Sequence, residues 1–320
     1  MNPYNCYNNH EKIFEKKSNT ENENNAYVYL LMKTTPVFEK YIVATLVSAY
    51  ALRKQKTKNK IIITVTKDID KKYYKYFTEL FDEIYVINYF IANSNFIKNI
   101  KYKKWIYLYT KIELFKLTKY KKIVFINSAL LPFKNSDYLF NYKTPAGALL
   151  LEPFNINNEN KFINIHKILC KHNTASKIKK IKKYKNLLEY NNIEEGFIMA
   201  SLFILEPNIN TYKKLKKILQ GNNPEYKTLS FENDEYFFSY FFRKKFTFID
   251  SRFNAGFLFN KYPDIDKIFT INYLIKKPFL VNDIKKYIKN PEIKLWDTYK
   301  NMLCEDYPKL KQFINNTLHQ

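Results

Sequence analysis

Two hydrophobic periods alternate along the N-terminal half of this chain, and that alternation restricts what it can fold into more than any other feature. Ala26–Met32 (AYVYLLM), Lys60–Thr66 (KIIITVT), Glu83–Val86 and Lys122–Ile126 (KIVFI) are short apolar runs rich in β-branched and aromatic residues. Their length and their lack of polar alternation predict strands buried on both faces. Between them, Val37–Arg53, Asp70–Phe81 and Trp105–Lys119 carry apolar residues at helical spacing. Strands without a polar face, separated by amphipathic helices, build a mostly parallel sheet covered by helices on both sides.

Beyond Asn127 the rhythm changes. Ala146–Leu151 and Ala200–Leu205 are apolar strands, each followed by Glu-Pro, and a polar, Lys-rich stretch at 155–192 separates them as an insertion. Helices are expected at Thr211–Leu219, Asn233–Phe242 and Leu295–Leu303, with short strands at Thr247–Asp250 and Lys267–Ile271. Residues 1–25 are polar, rich in Asn, Glu and Lys, and lack an apolar segment of the kind a secretory signal needs, so a disordered tail is expected there. The longest uncharged apolar run, Tyr41–Leu52, is too short to span a bilayer and is expected as a core helix. Three widely spaced cysteines, Cys6, Cys170 and Cys304, argue against a disulfide framework and for a reducing, cytoplasmic setting.

Lys and Arg number 54 against 30 acidic residues, a surplus of 24. Such a surplus could mark a nucleic-acid binder. Lys, Asn, Ile, Tyr and Phe are nevertheless all abundant while Gly is scarce, the composition an A/T-rich genome produces, and most lysines scatter over expected helix surfaces. Nucleic acid is therefore not the expected partner. The denser run Lys171–Lys185 (KHNTASKIKKIKKYK) is either a polyanion-binding segment or a solvated loop.

In open parallel sheets, ligands bind beyond the carboxyl ends of the strands. One such end is the stretch Tyr109-Thr110-Lys111, then Leu117-Thr118-Lys119-Tyr120, the strand Lys122–Ile126, Asn127-Ser128-Ala129, and Ser136-Asp137-Tyr138-Leu139-Phe140. This stretch resembles the central signature of glycosyltransferase family 8, the glycogenin-like enzymes: a Thr-Lys helix, Leu-Thr-x-Tyr, a strand, Asp-x-Asp, and a segment ending Asp-x-Leu-Phe. The likeness extends to Phe197–Pro207, to Asp234-Glu235 where the family has Asp-Gln, to Phe253-Asn254, and to Lys277-Pro278-Phe279 where it has Lys-Pro-Trp. The resemblance implies an α/β fold of the GT-A type, a mostly parallel central sheet flanked by helices. It would occupy residues 26–282, with a helical extension at 283–320. It also implies hexosyl transfer from a nucleotide sugar, with UDP the expected nucleotide. Donor-binding roles would then fall to Leu30, Thr34, Lys111, Asn127 and Lys277, and catalytic roles to Asp234 and Lys111.

The departures concern the metal. In the family, two carboxylates at Asp-x-Asp and a histidine hold a divalent cation, usually manganese, that neutralises the leaving diphosphate. The matching positions here are Asn127, Ala129 and either Ile271 or Asn272. The family's Phe-Asn-Ser-Gly asparagine and glycine correspond to Met199 and Ser201. No metal ligand set is therefore expected. Two readings remain open: transfer with Lys111 and Lys277 in the metal's place, or a non-catalytic binding module on the same fold. Each nominated residue also has an ordinary reading. Lys111 and Lys277 could be surface lysines, Asp234 a helix N-cap, Asn127 a turn residue, and the aromatics of Tyr236–Phe242 core.

Overall fold

The computed structural model describes residues 11–15, 22–93, 103–150, 197–221, 233–242, 245–256, 265–274, 276–281 and 283–318. The expected insertion at 155–192 and the Lys171–Lys185 run lie outside them. The fold is mixed α/β, with a central, largely parallel sheet flanked by helices. The chain divides into two compact units, each discontinuous in sequence.

The first, here the terminal unit, comprises Asn9–Ile87, Phe125–Tyr138 and Arg252–Gln320. Strands β2 (Asn22–Leu31), β3 (Asn59–Thr66) and β4 (Glu83–Ile87) run parallel, with Val28 opposite Ile62 and Ile63 opposite Ile84. Every residue of β3 and β4 is buried, as expected for strands with no polar face. Strand β1 (Glu11–Glu15) adds antiparallel to β4, so the stretch expected as a tail contains β1 and the start of β2. Its Glu-Lys-Ile-Phe-Glu pattern has too few apolar residues to announce a strand, and β4 supplies the pairing partner. Helix α1 (Phe38–Lys54) is buried without interruption from Ile42 to Leu52. Glu39 in its first turn and Arg53 and Lys54 in its last suit the helix dipole. The Arg53 guanidinium donates to the Leu80 carbonyl at the end of α2 (Tyr74–Leu80) at 2.8 and 3.0 Å, and pairs with Asp82 at 2.7 Å. Two buried phenols of these strands find side-chain partners. Tyr27 donates to Asp137 at 2.9 Å, and Tyr29 shares a 2.8 Å bond with Ser48.

The second, the middle unit, comprises Met1–Asn8, Asn88–Val124 and Leu139–Ser251. Its first element is a 3₁₀-helical run, Lys103–Lys116, where an α-helix was expected. Residues 109–117 are all buried, so this part of the run has no solvent face, and its Glu113 and Lys116 are paired: Lys116 meets Glu113 at 2.6 Å, and Tyr212 donates to Glu113 at 2.9 Å. Strands β7 (Ala146–Leu150) and β8 (Phe197–Leu205) pair antiparallel, and β9 (Thr247–Phe248) joins β7 in parallel. Helices α3 (Ile209–Leu219) and α4 (Asp234–Phe241) belong to this unit. Phe203, Phe237, Phe238 and Phe242 are buried and packed ring to ring as core, whereas Tyr236, Tyr240 and Phe241, expected with them, are half-buried.

Strand β5 occupies Lys122–Ile126, the expected bounds, and is an interior strand of the sheet. A two-stranded antiparallel ladder of β6 (Leu130–Pro132) and β10 (Thr270–Asn272) belongs to the terminal unit. Residues 283–318 are helical: a short 3₁₀ turn, then α5 (Pro291–Asp306) and α6 (Pro308–Leu318). They join the terminal unit by burying Ile293, Trp296, Leu303, Leu310 and Ile314. Among the described residues, no helix is long and apolar enough to cross a membrane.

Candidate functional site

Two groups of nominated residues are brought together, one in each unit. In the middle unit, Lys111 sits within the buried 3₁₀ run and Asp234 in the first turn of α4. The N-cap of α4 is Asn233, whose side chain accepts from the Tyr236 amide at 3.1 Å, so Asp234 is free of capping duty. The Lys111 ammonium meets the Asp234 carboxylate at 2.5 Å, with side chains 7% and 1% exposed. That burial excludes the surface-lysine reading. Burial, and then the charge of Asp234, push the Tyr109 phenol above its ordinary range.

The pair serves the backbone of β8. Gly147 lies opposite Phe203 while its neighbour Ala148 lies opposite Met199, so Ala200, Ser201 and Leu202 have no partner on β7. Side chains take over there. Lys111 donates to the Ala200 carbonyl at 3.0 Å and Glu235 accepts from the Ala200 amide at 3.0 Å; just before the bulge, at Ile198 opposite Leu149, Ser239 accepts from the amide at 2.9 Å. An unpaired buried peptide group is costly, so these contacts hold the bulge in place. Glu235 and Ser239 escaped sequence reasoning; only the match of Asp234-Glu235 to Asp-Gln pointed toward the first.

In the terminal unit, β5 ends at Ile126 and the chain turns at once: the Leu130 amide donates to the Asn127 carbonyl at 2.9 Å. The Asn127 side chain accepts from the Ala129 amide at 2.9 Å, an Asx turn. Residues 127 and 129 thus lie on a turn and not on the extended segment assumed for Asp-x-Asp. Ser128 accepts from Thr45 at 2.9 Å. The ladder brings the expected histidine position alongside: Leu130 is opposite Asn272, and the Tyr273 amide donates to the Ala129 carbonyl at 2.9 Å. Ile271 is buried in the core, whereas Asn272 donates to Asn254 at 2.8 Å. The family's cation would need carboxylate or imidazole ligands here, and the turn offers Asn127, Ala129 and Asn272. Among the described residues, no group of three His, Cys, Asp or Glu side chains could hold a metal ion. These residues do not fit the cation.

The other nominated residues lie at the end of β2, in the turn after it, or before the last helices. Leu30 is buried near the end of β2, and the Thr34 amide closes a turn onto the Met32 carbonyl at 2.9 Å. Lys277 is half-buried, and its ammonium donates to the Leu274 carbonyl at 2.7 Å.

No protein-family model matches the sequence. Uncharacterized protein R707 of Acanthamoeba polyphaga mimivirus is 26% identical over 282 residues, 85% of this chain and 90% of that protein. Among solved structures, the galactosyltransferase LgtC in complex with donor and acceptor sugar analogs has a TM-score of 0.56 at 12% identity, covering 90% of this chain and 99% of LgtC. The glycosyltransferase GlyE of Streptococcus pneumoniae has a TM-score of 0.51 at 11% identity over 90% of this chain. The bifunctional glycosyltransferase WbbM has a TM-score of 0.52 at 11% identity over 89%. The chain spans 64% of the GlyE chain and 53% of the WbbM chain. With the sheet and helix order above, these likenesses give the chain the fold of GT-A glycosyltransferases.

Proposed function

We propose that this protein is a family 8-like glycosyltransferase relative that takes a nucleotide sugar, a UDP-hexose, and in which manganese-dependent hexosyl transfer is lost or strongly reduced. The observation that carries this reading is the turn after β5. Asn127 and Ala129 stand at the two carboxylate positions, Leu130 lies opposite Asn272, and among the described residues no three His, Cys, Asp or Glu side chains gather to hold a metal ion. Metal neutralisation of a departing diphosphate contributes several kcal/mol to the transition state. A tenfold rate loss follows each ~1.4 kcal/mol, so its absence costs several orders of magnitude.

The second reading, a non-catalytic binding module, gains support from how the nominated substitutes are engaged. Lys111 is held by Asp234 and the Ala200 carbonyl, and Lys277 bonds its own chain at Leu274. Neither ammonium is uncommitted. The fold accommodates both readings, since site chemistry and not fold decides function.

Calorimetry with UDP and UDP-glucose, each with and without manganese, separates them. Binding of both ligands with equal affinity in either condition is the expected result, with no manganese-stimulated hydrolysis of UDP-glucose. Robust manganese-stimulated hydrolysis would refute the loss of metal dependence. No binding of either nucleotide would refute the donor site altogether and leave the scaffold reading.

A further inference from the structure

The terminal unit carries a concavity formed by residues to which neither sequence signature nor nucleotide chemistry assigns a task. A cavity of about 580 Å³ opens between α2 and α6, beside the first turn of α1. Its volume lies within the range of ~300–1,000 Å³ usual for small-ligand sites. Where α6 serves the core it is apolar, through Leu310 and Ile314. Toward the cavity it presents Lys309, Gln312, Phe313 and Asn316, one stripe at helical spacing, and α2 presents Lys75, Tyr76 and Glu79. Tyr76 and Phe313 stack at 4.3 Å and join the two helices. Glu39 reaches the cavity from α1 and accepts from the Tyr73 phenol.

Charge selects the ligand class. Glu39 and Glu79 balance Lys75 and Lys309, and Lys309 lies 3.4 Å from Glu79, so this wall is neutral in a chain carrying a surplus of 24 positive charges. Anions are drawn to the rest of the surface and repelled by these carboxylates, while the overall charge disfavours cations. An apolar ligand would desolvate amides and carboxylates without replacing their hydrogen bonds. A ligand with closely spaced neutral hydroxyls satisfies carboxylates and amide oxygens as a donor, and ammonium and amide N–H groups as an acceptor.

We propose that the groove between α2 and α6 binds a neutral oligosaccharide. The proposal stands independently of the donor-site reading. The test exposes the full chain to a printed array of neutral and acidic oligosaccharides at low and high salt, then measures the best-retained neutral glycan by calorimetry. Retention on neutral glycans that is insensitive to salt is expected. Gln312 and Asn316 are exposed, so Q312A/N316A should keep the melting temperature and weaken binding about tenfold or more. Should that variant melt early, Asn316→Trp fills the groove from the same exposed position and should block binding. Absence of neutral-glycan retention, salt-sensitive retention confined to acidic glycans, or unchanged affinity in the folded variants would each overturn the proposal.

Discussion

Replacing Lys111 by Met isolates what the buried pair does. The substitution keeps most of the side-chain volume and removes the ammonium. Asp234, with a side chain only 1% exposed, would lose its counter-ion, and the Ala200 carbonyl would lose a donor. At 2.5 Å and an effective dielectric of about 20, the gross attraction is about 7 kcal/mol, most of which offsets the desolvation of both ions. Removing one partner of such a pair costs ~3–5 kcal/mol, and the orphaned carbonyl falls within that figure and not on top of it. K111M is therefore expected to lose about 3–5 kcal/mol. Asp234→Asn should cost a comparable amount, whereas K111M/D234L, which removes both charges, should lie far closer to wild type than the sum of the two single changes. Urea titration gives the stabilities. Hydrogen exchange at the Ile198 and Ala200 amides places the effect, because β8 should open in K111M before the terminal unit does. A cost below about 1 kcal/mol for K111M, the value of an exposed pair, would refute the reasoning, as would strict additivity in the double variant.

Three further predictions concern titration. Burial raises the pKa of Glu292, whose Oε2 lacks a hydrogen-bond partner, so its folded form favours the proton and stability is lost as pH rises through the carboxylate range. Glu292→Gln should raise the melting temperature at neutral pH, with the gain shrinking in acid. Asp306 moves the other way: the hydrogen bond from Tyr50 at 2.5 Å, helped by Lys54, lowers its pKa. Its contribution is present at neutral pH and lost as pH falls through the depressed value, so Asp306→Asn should flatten the acid limb of the stability profile. Burial, in the main, pushes Tyr27, Tyr29, Tyr50, Tyr73, Tyr212 and Tyr273 above the ordinary phenol range. Folded-state protonation is then favoured, and stability should fall steeply in alkali. Tyrosinate absorbance should rise together with unfolding, and independent titration of these phenols in the folded state would contradict the burial.

The parallel strands were legible because burial on both faces leaves an unbroken apolar run, and β5 matches its expected bounds residue for residue. β1 was not legible, because its pairing comes from β4, more than sixty positions away in sequence. Helix α6 lies within the helical extension expected at 283–320, though its own bounds were not given; Leu310, Phe313, Ile314 and Thr317 repeat at helical spacing behind Pro308. Among site residues, Lys111 and Asp234 were nominated by motif, and the structure pairs them. Their partners on β8 could not be read, because a bulge leaves no mark in hydrophobic period: Phe197–Leu205 is apolar throughout, paired or not. The turn at Asn127 was one of the two readings its asparagine allowed, and the Asx bond to the Ala129 amide is that turn.

The terminal unit begins near one end of the chain and is finished near the other, and that has a consequence for synthesis. Tyr50 on α1 finds Asp306 256 positions later, and Phe279 and Trp296 are likewise late arrivals beside α1. At the ~5–20 residues per second of a ribosome, α1 is exposed for on the order of ten to fifty seconds before its covering helices exist. A nascent chain in that interval presents the apolar surface of Ile42–Leu52 to solvent or to a chaperone. Closure over such sequence distances is also slow, since loop entropy is lost before any contact forms. The speed of translation and the supply of chaperones should therefore govern the yield of this protein more strongly than the stability of its finished core.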